Sequence, residues 1–362
     1  MKMKKKIAMI LGLAVAMSAM TACGDNTTAD SSEAASSVAE SSEESTEEAA
    51  EETTAPAEDS TESDSESEAE SSEEEEAEDE EEDYTTGDAS LDNVRNQDEI
   101  GDQELLVLSF GTSFNDSRRL TIGAIEDELA NAFPDYEVRR GFTANIIIDH
   151  VNRRDGILID DVDAALQRAI DNNVKTLVVQ PTHLMHGLEY NDLVEQVGSK
   201  ADAFDKVVFG EPLLNSDDDF KRVEEAIVNW TKEYDDGKTA ICFMGHGTEA
   251  ESNEIYQKMQ DLLTADGHNN YFIGTVEASP SVDDVLASVQ AGDYERVILE
   301  PLMVVAGDHA NNDMAGDDAD SWKSVFEAAG YDVTCLLRGL GQNEDIRKIY
   351  VDHAQAAIDS IQ

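Results

Sequence analysis

Ala240-Ile241-Cys242-Phe243-Met244-Gly245-His246-Gly247 is the stretch on which the fold turns. Five apolar residues in a row, closed by glycine, describe a short strand buried on both faces, as in a parallel sheet covered by helices. The glycines let the backbone turn sharply and come close to a ligand. Between them stands one functional side chain, His246. In the first half, Leu106-Val107-Leu108-Ser109-Phe110-Gly111-Thr112-Ser113 has the same form.

Outward from these two runs, apolar segments at 105–110, 137–142, 175–180, 205–210, 239–244, 271–276, 295–300 and 332–337 alternate with amphipathic stretches. Leu120, Ile122, Ile125 and Leu129 mark one such stretch, and Val223, Ile227 and Trp230 another. This is the signature of strand and helix in turn. The halves also echo each other: Gln180-Pro181 is followed by Gly187 at the spacing at which Glu300-Pro301 is followed by Gly307. An internal duplication constrains architecture more than any single strand does. We therefore expect an α/β fold of two similar lobes, each a small parallel sheet flanked by helices, facing each other across a cleft. Lobe 1 spans about 105–236, lobe 2 about 237–340, and a C-terminal helix occupies 343–362.

The carboxyl ends of strands in open parallel sheets converge on one crevice. His246 follows the fifth apolar run, Glu277 follows Tyr271 to Val276, and His309 follows the seventh run and Gly307. Singly, each has an ordinary alternative: a strand-end histidine serves as a hydrogen-bonded core residue, and a carboxylate before Pro280 favours a helix start. Together, two imidazoles and a carboxylate make a metal site with open coordination positions. His183 and His186 follow the third run; packing or backbone hydrogen bonding is the preferred reading, with metal or haem ligation as the alternative. Asp313, Asp317, Asp318 and Asp320 do not fit the spacing of an EF-hand loop.

The first 23 residues have another character. Lys2, Lys4, Lys5 and Lys6 precede an apolar run from Ile7 to Met20, and Thr21-Ala22-Cys23 closes it, so we expect a bacterial lipoprotein signal with lipidation at Cys23. From residue 24 to 104 the chain holds 33 acidic side chains against one basic residue, Arg95, and almost no residues able to build a core. A solvated acidic stalk is expected there. The remaining 258 residues still carry an excess of 28 negative charges. That excludes the phosphate neutralisation on which nucleic-acid binding rests. Cys242 and Cys335 fall in core strands and read as small buried hydrophobes rather than a disulfide. Arg118, Arg119, Arg139, Arg140, Arg153 and Arg154 cluster in the first lobe, where some are expected to grip substrate carboxylates.

One family shows these features together. Ser109-Phe-Gly-Thr-Ser113, Arg154-Asp-Gly156, Met244-Gly-His-Gly247, Val276-Glu277, Pro301-Leu-Met-Val-Val-Ala-Gly-Asp-His309, Asn312-Asp-Met314, Gly316-Asp-Asp318 and Asp320-Ser-Trp-Lys323 resemble the anaerobic-type sirohydrochlorin cobaltochelatases. These are class II chelatases related to ferrochelatase, and the resemblance covers 105–358. It implies the two-lobed fold, with His246 and His309 as metal-binding histidines and Glu277 as the active-site glutamate. It also implies Co²⁺ insertion into a tetrapyrrole, sirohydrochlorin, in the oxygen-independent route to cobalamin, with Fe²⁺ or Ni²⁺ as other metals and no organic cofactor.

The leader departs from that pattern and implies a lipid anchor on the extracytoplasmic face of the cell membrane. Two further readings stay open: a lipoprotein that captures metal or metallotetrapyrrole for an uptake transporter, and a ferrochelatase-type activity. Self-association as a homo-oligomer is also left open by the sequence.

Overall fold

All eight expected strands form in a computed structural model that describes residues 87–361. They are β1 (Gln103–Ser109), β2 (Glu137–Phe142), β3 (Thr176–Pro181), β4 (Lys206–Phe209), β5 (Thr239–Gly245), β6 (Tyr271–Thr275), β7 (Arg296–Pro301) and β8 (Asp332–Cys335). Two four-stranded sheets result, ordered β2-β1-β3-β4 and β6-β5-β7-β8, with every pairing parallel. The second order is the first with each strand advanced by four, so the duplication read from short motifs extends to topology.

Strand alternation explains the layering, since successive side chains leave a strand on opposite faces. Leu105 and Val107 of β1 point into a core shared with Ile241 and Phe243 of β5 and Ile298 of β7. Leu106 and Leu108 join Leu166, Leu177 and Val179 on the outer face of the first sheet. Ala240, Cys242 and Met244 pack with Val297, Leu299 and Phe326 on the outer face of the second. Each central strand is thus buried on both sides, and full burial of a Leu, Val or Ile is worth roughly 1.5–3 kcal/mol. The C-terminal helix (Glu344–Asp359) places Ile346, Ile349 and Tyr350 in the shared core, and the Tyr350 hydroxyl donates to the Thr182 carbonyl at 2.9 Å. The last helix therefore packs on lobe 1.

The lobe boundary at residue 105 and the stalk ending at residue 104 need correction. From Gly87 onward the acidic segment lies against lobe 1. Asp92 sits between Arg118 Nε at 2.6 Å and Arg140 Nη1 at 2.7 Å, its side chain 1% exposed. The Arg95 carbonyl accepts from the Arg140 backbone N–H at 3.2 Å and from Arg139 Nε at 2.8 Å, so the segment covers the open edge of β2. The physical reason is local: arginines buried on an edge strand require nearby carboxylates and carbonyls, and average composition does not reveal one acid that meets that need. The leader, Cys23 and the stalk to residue 86 lie outside the described residues. Among the described residues, no helix is long and apolar enough to cross a membrane. Both described cysteines are free, Cys242 buried and Cys335 partly so.

Candidate metal centre in the interlobe cleft

His246 stands one residue past β5, on a turn that only glycine permits. A side chain at Gly245 would collide with the Tyr256 ring, and Gly247 has φ +93°, where a Cβ would strike the Ala278 backbone nitrogen. The imidazole Nδ1 donates to the Gly247 carbonyl at 2.8 Å. This fixes the tautomer and leaves the Nε2 lone pair for a metal. Glu277 is held beside it, because its backbone N–H donates to the His246 carbonyl at 2.9 Å. Its carboxylate lies 3.6 Å from His246 Nδ1.

His309 is carried by the loop after β7 and opens a π-helical turn (Ala310–Met314), a distortion frequent at functional sites. That turn sets Asp313 Oδ2 2.8 Å from His309 Nδ1. The hydrogen bond raises the imidazole above its ordinary pKa; burial opposes this, and Asp313, Asp308 and Glu277 add to it through their charge. Here too Nε2 is the free donor. The His246 and His309 rings meet edge to face, centroids 4.6 Å apart. Ligand atoms of His246, Glu277 and His309 all fall within 4.8 Å of one another. The three side chains are 47%, 53% and 33% exposed, so the centre is open to solvent and has room for further ligands.

Lobe 1 adds a residue that the sequence reading missed. Glu189, its side chain 55% exposed, is raised above its ordinary pKa by partial desolvation, against the pull of nearby His246. It also lies 3.8 Å from His183 Nε2. The signal was present in the duplication: Glu189 stands two residues after Gly187, as His309 stands two after Gly307. His183 itself is buried, with its pKa pushed down to about 4 and no hydrogen-bond partner on either ring nitrogen. His186 instead meets Asn215 Oδ1 at 3.0 Å and Glu211 at 3.2 Å, on the exposed side of the loop.

Of the six clustered arginines, some of which were expected to grip substrate carboxylates, three are not available for that. Arg118, Arg139 and Arg140 are fully buried. Arg139 pairs with Asp160 at 3.0 Å, and Arg140 with Glu126 at 2.8 Å as well as Asp92. Arg154 is engaged by Asp155, the Ser113 carbonyl and Asn115. Covering the β2 edge with the 87–102 segment turns what looked like a strand-end basic patch into internal ion pairs.

Two parallel sheets joined over a shared core, with a His-Glu-His centre at their strand ends, define a class II chelatase. The chain belongs to the cobalt chelatase (CbiK) family, whose model matches residues 103–359. It is 38% identical over 255 residues to a sirohydrochlorin cobaltochelatase of Salmonella typhimurium, covering 70% of this chain and 96% of that one. A sirohydrochlorin cobaltochelatase (CbiKC) of Nitratidesulfovibrio vulgaris is 32% identical over 280 residues, covering 75% and 97%. In solved structures the fold is similar to SirB from Bacillus subtilis with Fe³⁺, at TM-score 0.53 and 10% identity over 72% of this chain and 98% of that one.

Proposed function

We propose that the protein inserts Co²⁺ into sirohydrochlorin, with His246, Glu277 and His309 holding the incoming ion as substrate. The observation that carries this is the convergence of their ligand atoms within 4.8 Å in a chain of the cobalt chelatase family. An ion entering a macrocycle must shed water and protein ligands stepwise while two pyrrole N–H protons depart. Two neutral imidazoles and one carboxylate form a partial shell that binds Co²⁺ and can release it, and the same donors suit Fe²⁺ and Ni²⁺. Glu189, whose charge interacts with His246 from the opposite lobe, is the proton acceptor in this reading, since partial desolvation makes its carboxylate more basic than usual. We further propose that Cys23 is lipidated and holds the domain at the outer face of the cell membrane, supported by the basic and apolar leader before it.

The test is an absorbance time course with sirohydrochlorin and Co²⁺, Fe²⁺ or Ni²⁺ in turn. Turnover beyond one equivalent and above the uncatalysed rate is expected with Co²⁺. A spectral shift that stops at one equivalent would instead make the protein a binder serving uptake.

A further inference from the structure

The segment before the family-matched region does more than connect. We infer that Asp92, within residues 87–102, is a positioning residue for the metal centre; its catalytic consequence rests on the chelatase reading above. The family match begins at residue 103. Asp92 lies eleven positions earlier, yet its carboxylate pairs with Arg118 and is shared with Arg140.

From Arg118 the contacts run straight to the site. Arg118 Nη1 donates to the Thr112 carbonyl at 3.2 Å, and Nη2 donates to Asn115 Oδ1. Asn115 in turn donates to the Gly87 carbonyl at 3.4 Å, so the segment grips this loop at two points. Thr112 lies against Gly307, two residues from His309. One residue before Arg118, the Ser117 hydroxyl accepts from the Ala306 backbone N–H at 3.0 Å across the lobes. Asp92 thereby fixes a guanidinium, the guanidinium fixes the β1 end loop, and that loop fixes the backbone that carries His309. Without the carboxylate, a fully buried arginine loses its paired charge, and the loop it organises must rearrange to hydrate it.

The experiment uses the full chain with Asp92→Asn, which keeps shape but removes charge. Three quantities are read: thermal melting, Co²⁺ affinity of the protein alone, and kcat for cobalt insertion. With folding still cooperative well above the assay temperature, Co²⁺ affinity and kcat should each fall about tenfold, as expected when a site is displaced by a fraction of an ångström. Asp98→Asn, which removes an exposed partner of Arg168 in the same segment, should leave both unchanged. If Asp92→Asn melts lower yet binds and inserts Co²⁺ as the wild type does, Asp92 only stabilises the fold and the inference is overturned. If Asp92→Asn does not fold, Ser117→Ala reads the same route without disturbing the ion cluster, and unchanged Co²⁺ affinity there also overturns it. A wild type that binds Co²⁺ but never inserts it refutes the proposed function, while the affinity comparison still decides the role of Asp92.

Discussion

At the scale of the residue, the candidate centre rests on two imidazoles whose Nδ1 atoms are already committed, one to the Gly247 carbonyl and one to Asp313. If both Nε2 atoms hold the same ion, His246→Ala and His309→Ala should each remove most cobalt insertion. The double variant should then cost little more, because residues acting as a unit are strongly non-additive. Kinetics on the three variants decide this; additive losses would mean separate roles. The pH dependence has a definite sign. Asp313 raises the His309 pKa, so this ring stays protonated above the ordinary imidazole value, and Co²⁺ affinity should begin to fall there as pH decreases. Asp313→Asn removes that partner and should move the midpoint of Co²⁺ binding to lower pH in titrations between pH 8 and 5. A midpoint that stays or rises would show that Asp313 does not control the ring.

At the scale of the element, strand patterns were the most legible feature and charged residues within strands the least. Alternation along β1 and β5 was readable from the apolar runs, and both strands form where expected. Arg139 and Arg140 looked like a basic strand end because nothing nearby in sequence pairs with them; their partners come from positions 92, 126 and 160. Glu104 on β1 is a related case. It is buried, its carboxylate oxygens accept no hydrogen bond, and burial pushes its pKa up to about 8 against the attraction of Arg139. The folded state therefore prefers Glu104 protonated. Its contribution to stability is full below the ordinary carboxyl value and is lost as pH rises through about 8. Glu104→Gln removes this dependence, so its melting temperature relative to wild type should climb between pH 5 and pH 8. A constant difference across that range would contradict the assignment.

At the scale of the whole molecule, deletions test where the stalk ends and the domain begins. Deleting 24–86 removes residues whose composition builds no core, and it should leave melting and cobalt insertion unchanged. Deleting 24–102 also removes Asp92 and uncovers the β2 edge. Breaking a buried ion pair costs about 3–5 kcal/mol, which for a domain of this size lowers the melting temperature on the order of 10 °C. Calorimetry on the two deletions distinguishes them, and equal melting would show that the 87–102 segment contributes nothing. Lipidation belongs to this scale as well: Cys23→Ser should yield a protein without the lipid mass and released from membranes, as mass spectrometry and fractionation would detect.

Sequence alone determined the strands, their duplication and the three residues whose ligand atoms converge, because each is a local signal. A buried parallel strand must be an apolar run, and its crevice end must carry glycine and a functional side chain within a few residues. Tertiary structure alone decided which lobe the last helix covers, which arginines are spent internally, and that Glu189 stands near His246 and Asp92 between Arg118 and Arg140. Those outcomes depend on pairings between residues far apart in the chain. A charge reads the same in sequence whether it meets solvent or a buried counter-charge, and only the packed fold distinguishes the two.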